Sequence, residues 1–254
     1  MNVVPAGGVL ASTGIIPGPR TRVFGASRLV RLGDADERGR LRLDALARHL
    51  QDIATDDSDE SGMAEEPIFW VVRRSAFAIQ RWPRYLERVS YRTFCSGAGP
   101  RWAERRTSGE GEAGGHLESA VLWVALEQES GRPAVLSERF DRLWGLDARP
   151  VSARLLHPGP PAGAEGRPWA LRATDLDVMG HVNNAAYWEA VEDELDRLLP
   201  GWVPVSAECE HRLPLDRDAR VRVVSEVDGA TLALWLVSDA GVHASAVVST
   251  QPAD

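Results

Sequence analysis

Between Asp175 and Trp188 the chain reads DLDVMGHVNNAAYW, two carboxylates, a glycine, a histidine and two adjacent amides directly ahead of an amphipathic stretch. A histidine beside a carboxylate can pass protons to and from a reacting group, and a carboxylate can activate water or attack directly. Asp177 and His181 are therefore the candidate catalytic pair. Asn183 and Asn184 are good N-cap residues, because a side-chain oxygen there accepts from a free first-turn N–H. Past them, Ala185, Trp188, Val191, Leu195 and Leu198 recur at helical spacing, with Glu189, Asp193 and Asp196 on the other side. N–H groups at a helix start favour negative charge. Those near Val182, Asn183 and Asn184 are the candidate donors to an oxyanion or to the substrate. The competing reading of Asp177 is a turn residue that bonds its own backbone.

The elements that must position this stretch occur twice. Asp34-Ala-Asp36-Glu-Arg-Gly39-Arg40-Leu41 matches Asp175-Leu-Asp177-Val-Met-Gly180-His181-Val182 at a constant offset (175 − 34 = 180 − 39 = 141). Each copy leads into a helix, the first with Leu43, Leu46, Ala47, Leu50 and Ile53 as its apolar stripe. Four strand-like runs follow each helix, near 68–79, 84–94, 101–109 and 116–127, then near 203–213, 219–227, 230–238 and 242–250. Arg81-Trp-Pro83 and Arg212-Leu-Pro214 repeat at an offset of 131, so the first half holds about ten extra residues, expected in a loop at DDSDESGMAEE. A long helix wrapped by an antiparallel sheet, present twice, is an α+β duplication. Arg40 stands where the second copy has His181, and Arg42–Leu43 where it has Asn183–Asn184. The expectation is a catalytic C-terminal half and a supporting N-terminal half.

With 254 residues the chain can form two ordinary domains, each burying its own core. The expected order is a disordered tail over 1–21, an N-terminal unit over 22–142, a Pro/Gly-rich linker over 143–166 and a C-terminal unit over 167–254. Leu155–Leu156 suggests that part of the linker lies on the protein surface. No apolar run approaches the roughly 18 residues needed to span a bilayer. Cys95 and Cys209 have no disulfide or metal-site spacing, which fits a reducing cytoplasm, and no metal or cofactor is expected. All 29 basic residues are arginine, a sign of a GC-rich genome.

The net charge of −8 argues against nucleic acid as a general partner. Arginines nevertheless crowd the segment from Arg73 to Arg106, nine against two glutamates. Arg73, Arg74, Arg81 and Arg84 are candidates for docking an acidic partner, the alternative being a solvated strand face. Gly109-Glu-Gly111-Glu-Ala-Gly114 mimics a phosphate loop but sits between strands, and reads as a hairpin. Asp57-Ser-Asp59-Glu-Ser61-Gly62 opens like a calcium loop but ends at Ile68 where a glutamate is needed, and reads as an acidic loop. His49, His116, His157, His211 and His243 read as surface or packed residues. Trp70, Phe77, Trp82 and Trp123 read as core, or alternatively as the lining of an apolar pocket.

DLDVMGHVNNAAYW resembles the D-x-D-x-N-x-H-V-N-N-x-x-Y signature of the acyl-ACP thioesterases, plant plastid enzymes and their bacterial relatives. Trp70-Val-Val-Arg73-Arg74, Gly97-Ala-Gly99-Pro-Arg101 and Gly131-Arg-Pro133 agree in order, so the likeness runs from about residue 22 nearly to the end. It implies a tandem (double) hotdog fold and hydrolysis of the thioester between a fatty acyl chain and acyl carrier protein, with the N-terminal hotdog as acyl-binding support. The carrier is acidic, which gives the arginines a natural partner. CoA thioesters are the other expected substrates, and the assembly a monomer or a homodimer of double hotdogs. Two positions depart from the signature: the family's catalytic Asn falls at Met179, and its later Glu-Cys pair at Pro214–Leu215. The alternatives left open are a non-catalytic acyl-thioester or carrier-binding protein, and a hotdog hydratase or dehydratase.

Overall fold

The computed structural model describes residues 15–145 and 147–253. Residues 1–14 of the expected tail lie outside this range. The N-terminal half comprises β1 (Val23–Leu29), α1 (Leu43–Glu60), β2 (Ile68–Arg81), β3 (Arg88–Ala98), β4 (Trp102–Gly111) and β5 (His116–Glu127). A connection carries the short α2 (Glu138–Phe140) and β6 (Arg149–Pro150). The C-terminal half comprises β7 (Arg167–Trp169), α3 (Ala186–Leu198), β8 (Trp202–His211), β9 (Val221–Asp228), β10 (Thr231–Ser238) and β11 (Gly241–Pro252).

The strands form one eleven-stranded sheet in the order β1-β3-β4-β5-β2-β8-β11-β10-β9-β7, with β6 on β3. From edge to centre each half uses its own first, third, fourth, fifth and second strands, so the duplication extends to connectivity. The halves join where β2 and β8 pair antiparallel, Arg74 opposite Glu210 and Ala78 opposite Ser206. All eight expected strands are present. The edge strands β1 and β7 are additions that the alternation in short, Arg-containing segments did not reveal.

The expectation of a separate core in each half is corrected. Leu43, Leu46, Leu50 and Ile53 of α1 and Trp188, Val191 and Leu195 of α3 fall in one buried cluster, with Phe77, Cys209, Val223 and Leu234 from the sheet. The two helices pack against each other. Trp188 meets Phe77 of β2 with ring centroids 4.8 Å apart, which ties the helix of one half to the sheet of the other. The extra residues of the first half are not all loop either. Asp56–Glu60 continue α1, which has 18 residues against 13 in α3. Asp57 is buried there and accepts from Arg22 and Arg105, so its charge is matched inside the fold.

The linker is strapped across the sheet. Trp102 Nε1 donates to Val151 O, the Leu156 and His157 N–H groups donate to the Glu210 carboxylate, and Trp235 Nε1 donates to Pro158 O. Its backbone polar groups find partners on the sheet, leaving little freedom to swing. Leu156 is exposed, as a surface-lying segment requires.

Candidate active site

The repeated motif folds into the same hydrogen-bonded loop in both halves. Asp36 N donates to Arg40 O and Asp177 N to His181 O. Gly39 N reaches Asp36 O as Gly180 N reaches Asp177 O, and Leu41 N reaches Pro83 O as Val182 N reaches Leu215 O. Arg42 N and Asn183 N donate to Asp34 O and Asp175 O in turn. Gly39 and Gly180 sit at φ 75° and 79°, a left-handed conformation that glycine adopts without a Cβ penalty. The D-x-D-x-x-G pattern is thus the recipe for a loop, and what each copy does depends on the side chains it carries.

In the first copy the loop serves as a lock. Arg40 is buried, bonds Asp36, and reaches across to Glu192 of α3 at 2.6 Å, while Glu192 also accepts from Leu43 N. Burial works against the Arg40 charge, and the Glu192 and Asp36 carboxylates more than offset it, so its pKa is raised. The second copy replaces this lock with an open site. His181 Nδ1 lies 3.1 Å from Asp216 Oδ1, with side chains 45% and 78% exposed. A pair this exposed stabilises a fold by at most about 1 kcal/mol, so its consequence is orientation of the ring. With Nδ1–H donated to Asp216, Nε2 is left as the basic atom.

Asp216 escaped the sequence reading. It stands one residue past the Pro214–Leu215 pair, and the signal that could have found it was a carboxylate just past the Arg-x-Pro landmark shared by both halves. Asp177 keeps both readings alive. Its Oδ1 accepts from Met179 N at 2.9 Å, as Asp36 Oδ1 accepts from Arg38 N at 3.0 Å, so the turn role is real. Its Oδ2 has no hydrogen-bond partner among the described residues. Met179 is partly exposed at the tip of this turn.

The expected oxyanion donors need correction. The Val182 and Asn183 N–H groups are already given to Leu215 O and Asp175 O, so neither is available to a substrate. Asn183 does not cap the helix. Its Oδ1 accepts from Ala185 N in a local turn, and α3 begins only at Ala186. Asn184 is different: its side chain has no hydrogen-bond partner among the described residues, and it lines a narrow slit of about 20 Å³ with Gln51, Ser75, Phe77, Trp123 and Trp188. Gln51 and Trp123 also line a larger cavity of about 280 Å³, walled by Trp70, Phe140 and Trp144 among others. Trp70 and Trp123 thus take the pocket-lining alternative, whereas Phe77 is core that also walls the slit. Trp82 is core, its Nε1 donating to Pro204 O.

Beneath the loop, Tyr187 is buried and meets His211 edge-on, with centroids 4.9 Å apart. Burial above all, with the Asp177 and Asp216 charges adding, holds the Tyr187 hydroxyl protonated well above its usual range. His211 is buried with neither ring nitrogen hydrogen-bonded among the described residues, and burial, reinforced by Arg73, pushes its pKa down to about 4. The folded state therefore requires the neutral ring, whereas the unfolded chain takes up a proton below its ordinary 6.5. This contribution to stability is complete above pH 6.5 and is lost as pH falls towards 4, on the order of 3 kcal/mol in full. Urea midpoints should accordingly fall more for the wild type than for His211→Phe between about pH 7.5 and pH 4.5. Equal falls would remove His211 as the cause.

The arginine patch is also corrected in part. Arg74 is buried, and Arg73 is half-buried with Nη1 on His211 O. Both belong to the sheet, and Arg74 is out of reach of a docking protein. Arg81 and Arg84 are exposed. His157, Glu208 and Glu210 converge on the other face of the sheet, with possible ligand atoms within 4.8 Å of one another. Glu210 is already occupied there by two N–H groups of the linker and by Arg212, so the cluster reads as the anchor of the strap.

Two family models match this chain, the acyl-ACP thioesterase N-terminal domain over residues 21–142 and the C-terminal domain over residues 162–246. The chain belongs to the acyl-ACP thioesterase family. A similar structure is that of a 12:0-ACP thioesterase from Umbellularia californica, with a TM-score of 0.76, 20% identity and coverage of 91% of this chain and 97% of that one. Another is an acyl-ACP thioesterase from Bacteroides thetaiotaomicron, with a TM-score of 0.75, 16% identity and coverage of 90% and 98%. These likenesses establish the double hotdog fold. The uncharacterized protein Rv2001 of Mycobacterium tuberculosis is 25% identical over 217 residues, covering 85% of this chain and 87% of its own. Among the described residues of this acyl-ACP thioesterase family member, no helix is long and apolar enough to cross a membrane.

Proposed function

We propose that this protein hydrolyses fatty acyl thioesters, carried by acyl carrier protein in preference to CoA, with chemistry confined to the second copy of the motif. What supports the reading above all is the His181–Asp216 pair in the loop that also carries Asp177, whose Oδ2 has no partner among the described residues, three residues before Asn184, which lines the slit. The thioester carbonyl lies by Asn184, whose amide replaces the occupied Val182 and Asn183 donors. Asp177 Oδ2 takes a proton from water as it attacks the carbonyl carbon. His181 Nε2, turned by Asp216, takes that proton from Asp177 and gives it to the sulfur as the C–S bond breaks, so that the products are a free acid and a thiol. The acyl chain runs through the slit into the cavity of the N-terminal hotdog.

Asp216 supplies on this reading a carboxylate that Pro214 cannot. Met179, an apolar residue where the family signature has Asn, favours the second reading of a protein that binds acyl thioesters without cleaving them. Incubating the purified protein with matched acyl-ACP and acyl-CoA panels separates these. Release of free thiol supports hydrolysis, and tight binding without thiol release overturns it.

Arg81 and Arg84 are the remaining docking candidates for an acidic carrier, near the first-copy loop where Arg84 Nη1 meets Arg38 O. Reversing both charges should slow acyl-ACP turnover several-fold at low salt through the encounter rate. The loss should disappear near 1 M salt, where the Debye length is about 3 Å, and acyl-CoA should be little affected. Equal losses on both substrates would mean that these arginines support the fold instead.

A further inference from the structure

The slit between Asn184 and the large cavity is more polar than a hydrocarbon chain requires. Five of its side chains can hydrogen-bond and none does so: the Gln51 and Asn184 amides, Ser75 Oγ, and the Nε1 of Trp123 and of Trp188 have no partner among the described residues. Ser75 Oγ and Trp123 Nε1 are fully buried as well, a condition that native interiors seldom tolerate. The rest of the slit is apolar: Ala47, Leu50, Val72, Phe77 and Val121. Contributions come from α1, β2, β5 and the start of α3, so the unpaired groups of both halves converge on one place.

Asn184 lines this slit, three residues beyond His181. On the hydrolase reading, on which this inference rests, the carbons that thread the slit are those next to the thioester. A saturated chain there would leave all these groups unpaired, whereas an oxygen substituent could accept from the indole N–H and exchange hydrogen bonds with the amide and hydroxyl. We propose that the substrate class is acyl thioesters bearing a carbonyl or hydroxyl oxygen on the first carbons of the chain, 3-oxo or 3-hydroxy, and that Gln51 and Ser75 determine this specificity. Sites built to hydrogen-bond a substrate oxygen reject the analogue lacking it far more strongly than apolar pockets discriminate by size. Gln51 belongs to the half that lacks the histidine, which gives that half a recognition role.

The test compares medium-chain 3-oxoacyl-, 3-hydroxyacyl- and saturated acyl-CoA of equal length by kcat/KM. Calorimetric binding of the corresponding 3-hydroxy and saturated free acids is measured in parallel and needs no turnover. At least one oxygenated thioester should exceed the saturated one by about 10-fold or more, and the 3-hydroxy acid should bind more tightly. Gln51→Leu and Ser75→Ala should each shrink that ratio towards one. A ratio near one in the wild type, or an unchanged ratio in Gln51→Leu, overturns the inference and leaves the hydrolase reading intact. If no thioester is cleaved, the binding ratio decides alone: a preference lost in Gln51→Leu upholds the slit's specificity while the hydrolase reading fails.

Discussion

His181→Ala should lower kcat for acyl-thioester hydrolysis by roughly 10²-fold or more, with far-UV circular dichroism and the urea midpoint close to wild type. The small stability change follows from exposure. His181 is nearly half exposed and its one side-chain partner, Asp216, is more exposed still, so little of the fold depends on the ring. The rate change follows from its role, because an uncatalysed thiolate departure must borrow its proton from water. Asp216→Asn should cost less, about 10- to 100-fold in kcat, as expected when a partner orients a ring without touching substrate. Asp216→Glu should recover part of that loss, since a carboxylate can still reach Nδ1. KM should change little in either Asp216 variant. Wild-type kcat in His181→Ala would move the chemistry away from this loop altogether.

Much of the architecture was legible because the sequence states it twice. The 141-residue offset between motifs reappears as matching backbone hydrogen bonds, and the apolar stripes of both helices face the shared core. What the repeat could not reveal is how the copies meet. Nothing in the alternation of β2 or β8 distinguishes strands that end two sheets from strands that pair centrally in one, and the shared core follows from that pairing. The site was half legible for a related reason. Asp177, His181 and Asn184 lie within one loop and could be read from spacing. Asp216 arrives from beyond β8, a contact of sequence separation 35 that only the fold creates. The same limit explains Val182 and Asn183: a helix start predicts free N–H groups, but here the preceding loop consumes them before the helix begins. Arg74 failed as a surface residue because the linker covers that part of the sheet, while Arg73 is half-covered by the carbonyls of the neighbouring strand.

Asp177 allows the sharpest separation of a structural from a chemical role, because its two oxygens have different duties. Oδ1 closes the turn on Met179 N, a bond that an asparagine oxygen can also make. Oδ2 is the atom free to take a proton from water, and an amide cannot do so at all. Asp177→Asn should therefore keep the loop and the urea midpoint while reducing kcat by roughly 10²-fold or more. Asp177→Ala should show the same loss of kcat together with a stability decrease of about 1 kcal/mol, since Met179 N then loses its acceptor. The parallel position in the first copy provides the control. Asp36 makes the same turn bond to Arg38 N and also holds Arg40, so Asp36→Asn should weaken the lock to Glu192 and lower stability while leaving kcat near wild type. If Asp177→Asn retains full activity and only Asp177→Ala loses it, the residue is a turn former in both halves. The proton from water would then have to pass to His181 alone.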